Sequence, residues 1–214
     1  MHRNGILPQH FKRAYEKARQ QGLRVEGLLT HFSSADELDA SYFTQRLEFE
    51  RVKERAKKLD ENLLFHSHNS AALFRCKALA KDELCRVGLA QFGYSTKALR
   101  PVLSLYAHRL SSRLLKKGQC LGYGRAFCAP RDMRVATYDL GYADGLFRYD
   151  GQGELRLASG AAMLGRMSMD SFSCEDLGTR LCVFKDASVF ARFFHTIEYE
   201  ILSKLSPHIK RVLR

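Results

Sequence analysis

The 214-residue sequence has no apolar run long enough to span a membrane, and no signal-peptide pattern follows Met1. A transmembrane helix needs about 20 consecutive, mostly apolar residues, and a secretory signal needs a basic segment before an apolar one. These absences favour a cytoplasmic protein with no membrane partner. The composition, with 45% hydrophobic and 27% charged residues, is ordinary for a globular chain of one or two domains.

The six cysteines show no C-x-x-C spacing and no disulfide framework. We therefore expect free thiols in a reducing compartment. The cysteines are Cys76, Cys85, Cys120, Cys128, Cys174 and Cys182. His66 and His68 have a spacing that a metal ion could use, but no third ligand accompanies them, and we expect no metal site.

The net charge is strongly positive, at +12, with 35 Lys and Arg against 23 Asp and Glu. Such a charge suits nucleic acid, an acidic membrane surface or an anionic small ligand. Zinc-finger spacing and the aromatic RNA-recognition motif are both absent. The densest basic cluster, residues 51–58, is interleaved with Glu at helical spacing, which indicates a solvated helix face. We expect no nucleic-acid partner, and a basic nucleic-acid-binding protein remains the alternative.

The first hundred residues alternate helix-like and strand-like segments. A helical pattern ends at Gly22, and a capping box of Ser34 and Glu37 predicts a long amphipathic helix to about Leu59. Strands are predicted at the apolar runs, and a short helix lies between the last two; the runs are 23–30, 63–65 and 85–92, and the helix is 71–79. This alternation predicts a parallel sheet with covering helices.

Polar residues lie where each of these runs ends. The carboxyl ends of parallel strands form the functional edge of an α/β fold, so we expect these residues to lie together. They are His31, then His66, Asn69 and Ser70, then Arg86 and Gly88.

After Pro101 the pattern changes to strands separated by glycine-rich turns. The predicted strands are 103–115, 133–140, 155–163 and 181–184, and the predicted helix is 187–194. The second half is therefore expected to be a mostly β domain, with a boundary near residues 99–101.

Two tyrosines of this half have glycine neighbours: Tyr123 lies in Gly-Tyr-Gly, and Tyr142 lies in Gly-Tyr-Ala-Asp-Gly. Glycines allow a tight turn and the close approach of a ligand. The two tyrosines are about one hairpin apart, so we expect both phenols at the same rim of one sheet. Two hairpin turns that merely carry aromatic side chains are the alternative.

An ordered set of segments, at compatible spacing over nearly the whole chain, resembles the alanine racemase family. The first, Met1-His2-Arg3-Asn4-Gly5, is similar to the family's Gly-Met-x-Arg-x-Gly. The others are 26–37, 66–72, Arg86-Val87-Gly88-Leu89, Gly122-Tyr123-Gly124, 140–145, Gly165-Arg166-Met167-Ser168-Met169-Asp170 and 196–200.

The resemblance implies a fold and an activity. Residues 1–100 would form the later part of a TIM-type β/α barrel that binds pyridoxal 5′-phosphate (PLP), and residues 101–214 the mostly β C-terminal domain. The implied enzyme is an isomerase that interconverts L- and D-alanine and supplies D-alanine for the peptidoglycan of the cell wall. It would be a homodimer with shared active sites.

The resemblance also implies catalytic roles. Racemisation needs a base on each face of a planar carbanion, and Tyr123 matches the family's tyrosine base, which comes from the partner subunit. His31 and Arg86 match its supporting hydrogen-bond chain. Arg86 also matches the arginine that contacts the pyridine nitrogen of PLP. Because an arginine stays protonated, it leaves that nitrogen without a proton.

The remaining matches are binding residues. Ser70 and the backbone N–H groups of Gly88 and Leu89 match the phosphate site. The substrate carboxylate is matched by Arg3, the backbone N–H of Met169, and Tyr142. The side chain of Met169 is expected in the core.

The sequence also departs from the family pattern. The motif Val-Lys-Ala-Asn-Ala-Tyr-Gly, whose lysine forms the Schiff base, does not occur in these 214 residues, and Pro207 stands where a phosphate-contacting tyrosine is usual. A partial barrel also exposes unpaired edges and an apolar interior. We therefore expect the chain to be inactive alone. The alternative is a non-catalytic remnant that serves as a dimerising or PLP-binding module.

Overall fold

The computed structural model describes residues 3–37 and 39–213. The chain divides into two compact units, Met1–Arg100 and Pro101–Arg214. Met1 and His2, which belong to the first family-like segment, lie outside the described residues. Across the two described ranges, no helix combines the length and the apolar character that a membrane crossing requires.

The first unit is a three-stranded parallel sheet with helices between its strands. The strands are β1 (Gly27–Leu29), β2 (Leu64–His68) and β3 (Glu83–Cys85), in the order β1-β2-β3. The helices are α1 (Phe11–Gln20), α2 (Ser41–Lys57) and α3 (Ser70–Arg75), with 3-10 turns at Pro8–His10 and Leu89–Phe92.

One face of this sheet packs against α1 and α2. Leu28 of β1 is in register with Phe65 of β2, and Phe65 shares a buried cluster with Phe11 of α1 and Phe49 of α2. The rings of Phe49 and Phe65 meet edge to face, with centroids 6.3 Å apart, an arrangement that aromatic pairs prefer. This cluster fixes both helices on one side of the sheet.

The opposite face of the sheet is apolar and exposed. Leu29 of β1 and Leu84 of β3 are both in register with His66 of β2. Since side chains alternate along a strand, these residues share one face with Leu64. Leu29, Leu64 and Leu84 are 69%, 37% and 40% exposed. This is the open apolar interior that a partial barrel leaves.

The start of the long helix corrects the sequence prediction. The predicted capping box is wrong, because Ser34 and Glu37 form a turn in which the Glu37 N–H donates to the Ser34 carbonyl at 3.3 Å. Helix α2 begins at Ser41, whose N–H and hydroxyl donate to one carboxylate oxygen of Asp39 at 2.9 and 2.6 Å. A carboxylate satisfies free N–H groups there and favours the positive end of the helix.

The basic cluster on α2 is also not wholly solvated. Lys53 is buried, at 6% exposure, and its ammonium lies 2.9 Å from the carboxylate of Glu83 and 3.5 Å from that of Asp82. The other basic residues of the cluster are exposed. The alternating charges in the sequence did not indicate that Lys53 faces inward, where it anchors α2 to β3.

The second unit is mostly β. Its strands are β4 (Leu105–Leu115), β5 (Cys120–Leu121), β6 (Phe127–Cys128), β7 (Met133–Tyr138), β8 (Met163–Leu164), β9 (Phe172–Glu175) and β10 (Arg180–Phe184), and its helices are α4 (Ser188–Phe193) and α5 (Glu198–Lys204). Five of the strands form an antiparallel sheet in the order β10-β4-β7-β9-β8. The other two, β5 and β6, form a separate antiparallel pair.

Two features of this unit differ from the prediction. The run 155–163 is not a continuous strand: it contributes an isolated bridge between Arg156 and Ala162 and the start of β8. The prediction also missed β9, whose buried Phe172 stacks on Tyr138 of the neighbouring strand with ring centroids 5.7 Å apart. Such cross-strand aromatic pairs stabilise a sheet.

The expectation of free thiols is wrong for one pair of cysteines. Cys120 and Cys128 are joined by a disulfide and lie directly opposite each other in the β5–β6 register. The sequence spacing did not reveal the pair because the hairpin brings together cysteines that are eight residues apart. Cys76, Cys85, Cys174 and Cys182 are free.

Candidate functional site

Arg86, which follows β3, ties the residue after β1 to the middle of β2. Its guanidinium donates to the carbonyl of Thr30 at 2.8 Å and to the carbonyl of His66. The same group lies 3.4 Å from Nδ1 of His31. These contacts bring together His31, which follows β1, His66, which lies within β2, and Arg86, which follows β3. The predicted strand 85–92 is wrong, because the strand ends at Cys85 and Leu89–Phe92 is a 3-10 turn.

The environment of His31 lowers its pKa from the ordinary 6.5, mainly through partial desolvation and then through the positive charges of Arg86 and Arg3. Arg3 is itself exposed. Burial also lowers the pKa of Arg86. An arginine starts so far above neutrality that it remains a cation. The cluster therefore holds a neutral imidazole beside two guanidinium groups at neutral pH.

A second contact group lies after β2, around Ser70. The hydroxyl of Ser70 accepts the N–H groups of Gly88 and Ala90, at 3.0 and 3.2 Å. Ser70 is buried, at 7% exposure, and Leu89 lies between the two donors. An oxygen that accepts two N–H bonds still has its own proton to donate. The three predicted phosphate-site residues are thus neighbours, but the N–H of Gly88, which was predicted to bind phosphate, donates to the Ser70 hydroxyl instead.

Asn69 is a positioning residue to which the sequence analysis gave a place at the functional edge but no role. Its side-chain amide donates to the carbonyl of Phe32 at 3.1 Å, and its side-chain oxygen accepts the N–H of Ala72 at 2.9 Å. It therefore caps α3 and ties that helix to the segment after β1. The Asn-Ser pair that directly follows β2 was the available sequence signal.

Tyr123 lies at the tip of the β5–β6 hairpin, in a 3-10 turn, Tyr123–Arg125. Its side chain is 66% exposed. Gly122 and Gly124 have φ values of 77° and 66°, a region that glycine occupies without strain. The two flanking glycines therefore supply the tight turn that the sequence indicated.

Tyr142 and Met169 are neighbours in a different part of this unit. The N–H of Ala143 donates to the carbonyl of Met169 at 2.8 Å. A Cβ on Gly141 would lie 2.2 Å from that same oxygen, so only glycine fits there. Tyr142 and Met169 are 41% and 58% exposed, and the prediction that Met169 lies in the core is wrong.

The prediction of one shared rim for the two tyrosines is also wrong. Tyr123 is carried by the two-stranded β5–β6 pair, whereas Tyr142 follows β7 of the five-stranded sheet. Both tyrosines nonetheless lie in short turns, and the turn of Tyr142 is Tyr142–Asp144, followed by Gly145 at a φ of 93°. Among residues 3–37 and 39–213, no group of three or more metal-ligating side chains is found.

Comparisons with known proteins identify the family of this chain. Family models match both units: "Alanine racemase, N-terminal domain" over residues 1–96 and "Alanine racemase, C-terminal domain" over residues 102–213. The chain belongs to the alanine racemase family. An alanine racemase of Campylobacter jejuni subsp. doylei is 61% identical over 213 residues, and one of Nitratiruptor sp. is 42% identical over 223 residues. This chain is matched over 100% and 99% of its length, but it spans only 65% of each of these relatives.

Solved structures of the family have the same fold as this chain. The alanine racemase of Bacillus anthracis with bound L-Ala-P is 27% identical, with a TM-score of 0.82 over 96% of this chain and 60% of that one. The alanine racemase of Bartonella henselae with covalently bound pyridoxal phosphate is 23% identical, with a TM-score of 0.80 over 99% of this chain and 63% of that one. The family depends on PLP. The fold is thus a partial β/α barrel followed by a mostly β domain.

Proposed function

We propose that this chain carries the residues of one half of a PLP-dependent alanine racemase site, interconverting L- and D-alanine once the remaining part of the barrel is supplied. The proposal includes a cytoplasmic homodimer with shared active sites that supplies D-alanine for peptidoglycan. The family membership restricts the reaction class. The observation that carries the site is Arg86, whose guanidinium binds the carbonyls of Thr30 and His66 beside His31.

The residues present fit the cofactor on chemical grounds. PLP has an anionic phosphate at one end and a pyridine nitrogen in its ring. The buried Ser70 hydroxyl, already an acceptor of two N–H bonds, has only its proton left to offer, which suits a phosphate oxygen. Arg86 offers a fixed cationic donor, which suits a pyridine nitrogen that accepts a hydrogen bond.

When bound, PLP would supply the electron sink that makes the α-proton of an amino acid removable. Arg86 keeps its own proton and so leaves the ring nitrogen unprotonated. His31 stays neutral at pH 7, because its pKa is lowered, and a neutral imidazole can accept a hydrogen bond or a proton. Tyr123 would exchange the α-proton at its phenolic oxygen. Arg3, Tyr142 and the backbone N–H of Met169 would hold the substrate carboxylate.

The second base and the Schiff-base lysine are not supplied by these 214 residues, which contain no Val-Lys-Ala-Asn-Ala-Tyr-Gly motif. We therefore propose that residues 1–214, purified by themselves, do not racemise alanine. The C. jejuni relative, of which this chain covers 65%, contains the additional third from which a completed protein can be built.

The test compares the chain alone with a fusion that adds the preceding third of the C. jejuni relative. With PLP and L-alanine, we expect D-alanine from the fusion and none from the chain alone. In the fusion, Tyr123→Phe should lower the turnover number by about 10²- to 10⁴-fold, the range for loss of a general acid–base, with PLP absorbance unchanged. Racemisation by the chain alone would contradict the expected inactivity. A folded, PLP-loaded fusion without activity would instead favour the non-catalytic remnant.

A further inference from the structure

The Cys120–Cys128 disulfide closes the hairpin that presents Tyr123. The ladder of this hairpin has only two residue pairs, Cys120 with Cys128 and Leu121 with Phe127. The disulfide joins the first pair. The segment that it encloses contains the whole Tyr123 turn.

The base of the hairpin is anchored independently of the disulfide. The N–H of Ala129 donates to the carbonyl of Gln119 at 2.9 Å, and the N–H of Gly118 donates to the carbonyl of Ala129 at 2.8 Å. Leu121 and Phe127 pack against a buried cluster that includes Leu115. Loss of the disulfide should therefore leave the base in place and affect mainly the tip.

The tip itself has a strained backbone and lies against one neighbouring residue, since a Cβ on Gly122 or Gly124 would lie 3.2 or 3.1 Å from a nitrogen of Arg166. Arg125 has a φ of 53° without being glycine, a strained conformation that persists only where surrounding structure imposes it. Gly122, Gly124 and Tyr123 are exposed. The cross-link is the covalent restraint nearest to these residues.

Arg125 also contacts the disulfide. Its Nε lies 3.4 Å from Sγ of Cys120. A guanidinium beside sulfur favours the thiolate over the thiol, which makes that sulfur the better leaving group in exchange. Cys128, the other sulfur, belongs to an exposed residue and is open to attack. Cys120 is therefore the better leaving group and Cys128 the more exposed target, so a reductant is expected to attack Cys128.

We propose that Cys120–Cys128 is a redox-modification site whose reductant is a dithiol, and that its oxidised state holds the Tyr123 turn in place. One thiolate of the dithiol attacks Sγ of Cys128, the S–S bond breaks, and Cys120 leaves as a thiolate beside Arg125. The second thiolate of the reductant then displaces Cys128 and closes a disulfide in the reductant. Two electrons pass from the dithiol to the protein, which ends with two cysteine thiols. Only the consequence for catalysis rests on the proposed function.

Trypsin cleavage after Arg125 tests this proposal without any activity assay. The full chain is equilibrated with oxidised or reduced dithiothreitol, and peptides are quantified by mass spectrometry. We expect reduction to accelerate cleavage after Arg125 by about tenfold, because cleavage follows the population of the open turn. Cleavage after the exposed Arg156 serves as the internal reference and should not change. In the oxidised chain, the two products of the cut should stay joined until they are reduced.

Matched cysteine variants complete the test. The double variant Cys120→Ser/Cys128→Ser should be cleaved at the fast rate under both conditions, whereas Cys76→Ser/Cys85→Ser should behave like the parent. Equal rates after Arg125 in the oxidised and reduced parent would overturn the proposal, as would alkylation of Cys120 and Cys128 in the unreduced protein. A rise at both arginines would indicate global loosening and would also overturn it.

The fusion with the C. jejuni third separates this proposal from the proposed function. In an active fusion, reduction should lower the turnover number several-fold more than it changes the KM for alanine, and reoxidation should restore it. An inactive fusion with redox-dependent cleavage would contradict the proposed function but not the redox proposal. An active fusion whose turnover number is unaffected by reduction would remove the link between the disulfide and Tyr123.

Discussion

At the scale of single residues, Arg86 connects structure to chemistry. Its guanidinium satisfies the carbonyls of Thr30 and His66 and leaves its charge beside His31. A bond to a backbone carbonyl is a structural role, whereas a cation beside an imidazole is an electrostatic one. The two roles can be separated, because lysine keeps the charge but not the fork of donors.

The first prediction concerns the pKa of His31 in the variants of Arg86. Arg86→Met should raise the pKa of His31 towards its ordinary 6.5, since the positive charge is lost, whereas Arg86→Lys should leave it low. Histidine NMR titration of the full chain measures both. A pKa that is the same in the two variants would show that the charge of Arg86 does not contribute to it.

The same group gives a pH dependence of stability. Because the folded chain binds the His31 proton more weakly than the unfolded chain, its contribution to stability is fully present above the unfolded pKa. It is lost as the pH falls below about 6.5. The Arg86→Met variant should lose less stability over that pH range than Arg86→Lys, as judged by urea unfolding at several pH values.

At the scale of elements, α2 is attached to β3 by a buried ion pair. The side chains of Lys53 and Glu83 are 8% and 7% exposed and lie 2.9 Å apart. Burial opposes the charged form of Glu83, but the hydrogen bond and charge of Lys53 prevail and lower its pKa. Lys53 also lies 5.2 Å from the centre of the Phe65 ring. Breaking such a pair leaves a buried charge without its partner.

The second prediction is that Lys53→Met lowers the free energy of unfolding by about 3–5 kcal/mol. Lys57→Met is the matched control, four residues further along α2: its partner is Asp82 at 2.5 Å, but Lys57 is 44% exposed, so its loss should cost less than about 1 kcal/mol. Urea unfolding compares the two. The double variant Lys53→Met/Glu83→Leu should recover much of the loss, and equal costs for the two single variants would contradict this account.

A third prediction concerns the turn that carries Tyr142. Gly145 has a φ of 93°, and a Cβ there would lie 1.8 Å from the carbonyl oxygen of Lys204 at the end of α5. The same junction is closed by the Ser206 N–H, which donates to the carbonyl of Asp144 at 2.9 Å. Gly145→Ala should therefore cost about 4 kcal/mol or more, through backbone strain plus a backbone collision.

Gly160→Ala is the control for that variant. Gly160 has a φ of 91°, but nothing lies within 4 Å of its Cβ position, so only the strain of about 1–2 kcal/mol should remain. Thermal unfolding of the two variants separates strain from collision. Similar melting temperatures would mean that the end of α5 can move away from Gly145.

Some helices and strands could be predicted from the sequence, and others could not. The helix ending at Gly22 and the strands β4, β7 and β10 were predictable, because hydrophobic period and glycine are local signals. The start of α2 was not, since the local pattern of Ser34 and Glu37 resembles a capping box although the helix begins only at Ser41. The burial of Lys53 was also hidden, because its partner Glu83 is 30 residues away in the chain.

The candidate site likewise has features that the sequence predicts and features that it does not. His31 and Ser70 could be placed because each lies just after an apolar run, and strand ends converge in a parallel sheet. Arg86 was placed less well, because the run 85–92 was predicted as a strand whereas β3 already ends at Cys85. The disulfide beside Tyr123 could not, because it depends on the register of a two-pair hairpin that hydrophobic periodicity does not determine.

At the scale of the whole molecule, the two faces of the parallel sheet differ in what covers them. Phe65 is fully buried against α1 and α2, whereas Leu29 and Leu84 on the other face are 69% and 40% exposed. The alanine racemase relatives have an additional third of chain, which in a β/α barrel completes the sheet around its interior. A leucine of this face, such as Leu84, should therefore contribute less to the free energy of unfolding in the chain alone than in the fusion.

The fourth prediction concerns Leu84→Ser. In the chain alone it should change the free energy of unfolding by no more than about 0.5 kcal/mol, as expected for an exposed side chain. In the fusion it should lower the free energy of unfolding by about 2–4 kcal/mol, as expected for a buried side chain. Leu47→Ser, on α2 and 62% exposed, should be close to neutral in both proteins. Phe65→Ala should cost about 3–5 kcal/mol in both. Urea unfolding of the six variants gives the comparison, and a Leu84→Ser cost that is equal in the two proteins would mean that the added third does not cover this face.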